Sequence, residues 1–190
     1  MQPVEGKRIA ALIGDGFEDS ELTETRRALE EAGCIVSIVG IDDKSKQRIR
    51  GKRGLDDGGT IRAEELVADV TAEDFDALLI PGGASPDHIR TDKEVQRLVR
   101  EFDLLKKPMF VIGHGPQVLI SANVVRGRQL TGSTSIADDI RNAGGLYRDQ
   151  SVVIDGNWVS SRNPDDVPQF NRSMLEKLAV AQPVAPASPA

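Results

Sequence analysis

Cysteine, histidine and long apolar runs are what this chain has least of. Cys34 is its only cysteine and His88 and His114 its only histidines. A lone cysteine cannot close an internal disulfide, which excludes a cross-linked secreted scaffold. The one combination of residues that could bind a metal is His114, His88, Glu18 and Asp87, and it shows no spacing typical of metal ligands, so neither metal nor cofactor is expected. No apolar run approaches a membrane span, and Met1 to Lys7 lack the apolar stretch of a secretory signal, so a cytoplasmic protein is expected. Excess positive charge is also missing. A net charge of -6 and a pI near 5.0 argue against nucleic acid or an anionic membrane as partner.

What is present suits one globular domain, expected over residues 1–180, since 39% hydrophobic and 28% charged residues are ordinary values for a packed core with a solvated surface. The last ten residues, Ala181 to Ala190, are uncharged and rich in Ala and Pro, which predicts a disordered tail. Cys34 opens the apolar run Cys34-Ile35-Val36-Ser37-Ile38-Val39. It reads as a buried strand residue of low reactivity. Lys44, Lys46, Arg48, Arg50, Lys52 and Arg53 crowd one stretch. Their alternation predicts the solvent face of a hairpin strand.

Short apolar strands alternate with helical patterns along the chain. Arg8 to Ile13 runs into Gly14-Asp15-Gly16, and a helix from Asp19 or Ser20 to Gly33 follows. Ala77 to Ile80 ends at Pro81-Gly82-Gly83, before a helix with Val95, Leu98, Val99, Phe102 and Leu105 at helical spacing. Further on stand a strand near Gln129 to Thr131, a helix from about Ser135 to Ala143, a hairpin turning at Asp155-Gly156-Asn157 and a last helix from about Asp165. This order predicts an α/β fold with a mostly parallel sheet covered on both faces. Ligands on such sheets sit at the carboxyl ends of the strands, where Gly14-Gly16, Pro81-Gly83 and Gly113-Gly115 fall.

Val111-Ile112-Gly113-His114-Gly115-Pro116-Gln117 is the most informative segment. An apolar strand enters a Gly-rich corner and then a helix opened by Pro116, which is how a nucleophile elbow is built. The residue that should attack is Gly113. Elbow residues adopt strained backbone, often with positive φ; glycine relieves that strain and removes the only atom able to attack a carbonyl.

Four segments in order, Gly16-Phe17-Glu18-Asp19-Ser20-Glu21, Pro81-Gly82-Gly83-Ala84-Ser85-Pro86-Asp87, the elbow, and Asp155-Gly156-Asn157-Trp158-Val159-Ser160-Ser161-Arg162, resemble the ThiJ/PfpI superfamily, in particular its intracellular protease I and deglycase stress-protein branch. The resemblance implies a flavodoxin-like three-layer sandwich related to class I glutamine amidotransferase domains. It also implies a Cys nucleophile at the elbow, where this chain carries Gly113. By the same resemblance Glu18 is the carboxylate beside the nucleophile and His114 its histidine. Asp87 is the acid that reaches a neighbouring subunit's site, and the backbone N–H groups of Gly83 and His114 line an oxyanion hole. Homodimers or larger assemblies are implied as well, with a small carbonyl compound or peptide as ligand.

Three functions follow as alternatives. Cysteine chemistry is silenced and an oligomeric, stress-related binding homologue remains, or Glu18 and His114 act as acid and base on a water or small carbonyl in a hydrolase, hydratase or glyoxalase-like reaction. In the third, Gly113 is a replacement within an active protease or deglycase.

Overall fold

A computed structural model describes residues 4–181. In chain order the elements are β1 (Arg8–Leu12), β2 (Phe17–Glu18), α1 (Asp19–Glu31), β3 (Ile35–Gly40), α2 (Asp43–Gln47), β4 (Ile49–Arg53), β5 (Asp56–Ile61) and β6 (Glu65–Leu66). Then come β7 (Ala77–Ile80), α3 (Ser85–Ile89), α4 (Lys93–Leu104), β8 (Met109–Ile112), α5 (Pro116–Ser121), β9 (Gln129–Leu130) and α6 (Ala137–Asn142). The chain closes with β10 (Leu146–Tyr147), β11 (Val152–Asp155), β12 (Trp158–Ser161) and α7 (Val167–Val180).

A seven-stranded sheet in the order β11-β12-β8-β7-β1-β3-β6 forms the middle layer. Every pairing in it is parallel except β11 with β12. Because side chains alternate along a strand, each strand supplies two cores. Ala10, Leu12, Leu78, Ile80, Met109, Val111 and Trp158 point to one face, where Val95, Leu98 and Phe102 of α4 and Leu119 of α5 cover them. Ile9, Ala11, Leu79, Phe110, Ile112 and Val159 point to the other, against Leu22 and Leu29 of α1 and Phe170, Met174 and Leu178 of α7. Burying one such side chain contributes about 1.5–3 kcal/mol, so strands buried on both faces lose the polar alternation of a half-exposed sheet. The architecture is the three-layer α/β sandwich that the strand and helix pattern predicts.

After β1 the chain moves to β3 on one side of it, and β7 takes the other side. The order of winding reverses between the carboxyl ends of β1 and β7, which opens the crevice where such folds place a site. The loops after β1, β7 and β8 are therefore immediate neighbours.

The basic stretch departs from a single strand face. Lys44 and Lys46 lie in α2, whose start is capped by Asp42 accepting from the Ser45 N–H at 3.0 Å. Arg50, Lys52 and Arg53 lie on β4 of the β4–β5 hairpin and pair with Asp15, Asp57 and Asp19 at 2.8, 2.6 and 2.9 Å. The disordered tail expected from Ala181 lies, beyond Ala181 itself, outside the described residues.

Candidate functional site

The corner after β8 has the geometry of an elbow. Gly113 has φ +62°, in the left-handed region that costs a residue with a side chain about 1–2 kcal/mol. Its N–H donates to Ser161 O on β12 at 3.2 Å, and its carbonyl accepts from Ser133 N at 2.7 Å, so the corner is held from two sides. The α5 helix follows directly, with Pro116 at its first position.

The carboxylate beside this corner is Glu21, a correction to the residue-by-residue expectation, which placed Glu18 there. Glu18 ends β2, pairs in register with Lys52 of β4 and has extended backbone. Its carboxylate turns to the hairpin, accepting from Gly54 N at 3.0 Å and from Ser20 Oγ at 3.0 Å. Glu21 lies one turn into α1 on the same inward stripe as Leu22, Thr25 and Leu29, and is 2% exposed. Its Oε2 accepts from Gly82 N at 2.6 Å. Its Oε1 stands 2.7 Å from the point where a Cβ on Gly113 would sit. The signal for Glu21 was present in the sequence, as an acidic residue on the inward helical stripe of Leu22, Thr25 and Leu29. Glu18 shares the helical spacing but precedes the helix, and only its strand pairing reveals that.

Burial pushes the Glu21 carboxyl up to about 8; the Gly82 N–H opposes this and the nearby Glu18 charge adds to it. At neutral pH the group is mostly a carboxylic acid. Oε2 accepts from the Gly82 N–H, and both oxygens face Gly113, Oε1 at 2.7 Å and Oε2 at 3.0 Å from the place of a Cβ there.

Gly82 and Gly83 let the loop after β7 close over this carboxyl. A Cβ on Gly82 would come within 2.7 Å of Glu21 Oε2 and 2.8 Å of the His114 amide nitrogen. Gly83, at φ +76°, would drive a Cβ into the Gly16 carbonyl and the Glu18 amide. Around it Glu18 N donates to Gly82 O at 3.2 Å and Ala84 N to Gly16 O at 2.8 Å. Among the described residues the N–H groups of Gly83 and His114 have no hydrogen-bond partner. These are the two amides that the resemblance assigns to an oxyanion hole.

His114 is half-buried and places Nε2 3.1 Å from Ser135 Oγ. Burial lowers its pKa, against an opposing pull from Asp87, so the ring is neutral at pH 7. Asp87, on α3, is exposed, lies 3.8 Å from Arg90 and acts on His114 of its own chain through space without a hydrogen bond. The structure thus brings Gly113, His114 and Gly83 together and sets Asp87 at the rim; Glu18 stands behind Glu21. His88 faces away, with Nδ1 2.9 Å from Asp15 O. Among the described residues no three His, Cys, Asp or Glu side chains converge as a metal site would require.

Cys34 sits just before β3, at the amino end of the sheet. It is buried, its Sγ donates to Val4 O at 3.4 Å, and burial raises its pKa. It stands at the opposite end of the strands from Gly113, so it cannot replace the missing nucleophile.

A flavodoxin-like sheet with a left-handed elbow, a buried acid behind it and free amides beside it defines a class of three-layer α/β proteins. Within that class the chain belongs to the DJ-1/PfpI family, whose profile matches residues 7–177. It is 43% identical to Protein/nucleic acid deglycase 2 of Escherichia coli (strain K12) over 173 residues, covering 90% of this chain and 98% of that protein. It is also 43% identical to General stress protein 18 of Bacillus subtilis (strain 168) over 174 residues, covering 91% and 98%. Among solved structures, a two-domain protein of Anabaena variabilis ATCC 29413, with DJ-1/ThiJ/PfpI-like and ferritin-like domains, superimposes with a TM-score of 0.85 at 35% identity. The match covers 97% of this chain and 53% of that one. No helix among the described residues is long and apolar enough to cross a membrane.

Proposed function

We propose that this protein is a family member whose cysteine chemistry is silenced and whose cleft is kept for binding, in a cytoplasmic homo-oligomer linked to stress. One observation carries the reading. Position 113 keeps the elbow backbone and has no side chain, and Glu21 Oε1 lies against the place a side chain would begin. Deleting a nucleophile typically costs on the order of a million-fold in rate, while oxyanion donors and binding alone retain roughly a thousand-fold over water. The relatives named for deglycation and stress supply the family context for the proposal. Asp87, exposed at the rim, is the residue we assign to contact with a neighbouring copy.

The test is activity before and after Gly113→Cys. The unmodified protein should show no thiol-dependent peptide hydrolysis or deglycation, and robust turnover abolished by Glu21→Ala would refute silencing. If the cysteine variant gains either activity, the remaining machinery is intact and only the nucleophile was lost. Sedimentation of the purified protein as a monomer would refute the oligomer.

A second reading has its own observation. Glu21 titrates near neutrality and His114 is neutral, which suits an acid–base pair acting without a covalent intermediate. It requires a bell-shaped pH profile that survives Cys34→Ala, and indifference to Glu21→Gln would dismiss it.

A further inference from the structure

Ser135 places its hydroxyl against the imidazole that follows the elbow. Its Oγ stands 3.1 Å from His114 Nε2 and 2.9 Å from Ser133 Oγ. Backbone contacts build this placement. Ser133 N donates to Gly113 O at 2.7 Å and Ile136 N to Ser133 O at 3.0 Å, and Ile136 is buried in the core. Gly132 lets the loop lie close to the elbow, since a Cβ there would come within 2.9 Å of both the Gly113 carbonyl oxygen and Pro116 Cγ. The single turn Thr134–Ile136 then leaves Ser135 exposed beside half-buried His114.

We propose that Ser135 is a nucleophile for activated esters, with His114 as its general base, in place of the thiol that position 113 lacks. Cysteine chemistry stays silenced. The inference goes beyond that reading by adding an oxygen nucleophile on a different loop, approached from solvent, and it needs no room at Gly113.

A serine hydroxyl attacks a carbonyl only when a base takes its proton as the bond forms. Burial lowers the His114 pKa, so at pH 7 the ring is neutral and able to accept. With Nε2 accepting from Ser135, the ring proton sits on Nδ1. The one hydroxyl hydrogen of Ser135 is then committed to His114, and Ser133 Oγ–H donates to Ser135 Oγ, which fixes the attacking oxygen. The negative charge of Asp87 acts on His114 through space and favours the imidazolium that forms on attack.

The bond from Ser135 Oγ to the carbonyl carbon forms as the proton passes to His114 Nε2, and the adduct expels the leaving oxygen, which takes that proton. Water then attacks the acyl-serine while His114 accepts its proton, and this proton returns to Ser135 Oγ as the acid leaves. Ser135 is open to water and its base meets Asp87 only through space, so the power of the pair is modest. That restricts the substrate to esters with a good leaving group, aryl esters foremost, and leaves peptide bonds intact.

The probes are p-nitrophenyl acetate and a fluorophosphonate, applied to the full-length protein. The fluorophosphonate should add a phosphonyl group at Ser135 with loss of fluoride, located by mass spectrometry of peptides. Ser135→Ala should abolish the label, and both Ser135→Ala and His114→Gln should slow ester hydrolysis at least about tenfold with the circular dichroism spectrum retained. In a Cys34→Ala background, Ser135→Cys should keep hydrolysis and make it sensitive to iodoacetamide, which a merely structural serine would not do. Absence of label, labelling at another residue, or hydrolysis that survives Ser135→Ala or His114→Gln would each overturn the proposal. Silencing is read separately, by the thiol-dependent assays above.

Discussion

Glu21 Oε1 stands 2.7 Å from the position a Cβ on Gly113 would take, closer than real Cβ contacts come. The acid that flanks the elbow has therefore settled against the backbone of a residue with nothing to present. Any side chain at 113 must displace a carboxyl held by Gly82, and must do so from a left-handed backbone.

Gly113→Ala should accordingly lower stability by about 1–2 kcal/mol, from the positive φ and the contact with Glu21 together. Urea denaturation monitored by the single Trp158 reads this directly. A midpoint equal to that of the unmodified protein would mean that the corner relaxes freely.

Stability should fall as pH rises across the Glu21 transition. In the unfolded chain this carboxyl titrates near 4.5 and in the fold at about 8, so the folded state holds an extra proton between the two. The favourable term is fully present below 4.5 and is lost as pH climbs towards 8, by an amount on the order of a few kcal/mol. Glu21→Gln should flatten that slope between pH 5 and 8.5; an unchanged slope would assign the pH dependence to other groups.

Arg128 should matter more than any surface arginine. Its guanidinium stacks 3.8 Å from the Trp158 ring centroid and bonds Asp103, the side chain and carbonyl of Asp155, and Asn157. Removing it leaves two partly buried carboxylates without their cation, so Arg128→Ala should cost about 2–4 kcal/mol. Arg141→Ala, which breaks the exposed pair with Asp138, should stay within about 0.5 kcal/mol and serves as the control.

Cys34 should react with iodoacetamide only when the fold opens, because burial both hinders access and raises the thiol pKa. Cys34→Ala should leave the far-ultraviolet circular dichroism spectrum and any turnover unchanged. Loss of either would connect the amino end of the sheet to the site at its carboxyl end.

Much of this was legible along the chain. Apolar strands of four to six residues ending in Gly14-Asp15-Gly16, Pro81-Gly82-Gly83 and Gly113-His114-Gly115 announced a parallel sheet and its site loops. Spacing could not separate Glu18 from Glu21, because both are compatible with the buried stripe of α1. Nor could charge alternation reveal that Asp42 starts a helix within the basic run, since a cap depends on local backbone geometry.

By itself, then, the sequence determined the alternation of strand and helix, the apolar faces and the missing nucleophile, because these are carried by residue type and period. Tertiary structure alone decided which carboxylate turns inward. Residue Glu18 pairs with Lys52, 34 positions on by number, and that β2–β4 contact spends its extended backbone on the hairpin and hands the buried place to Glu21. A pairing between distant segments leaves no mark in either one, so the proton at the centre of the site becomes visible only once the loops after β1, β7 and β8 are brought together.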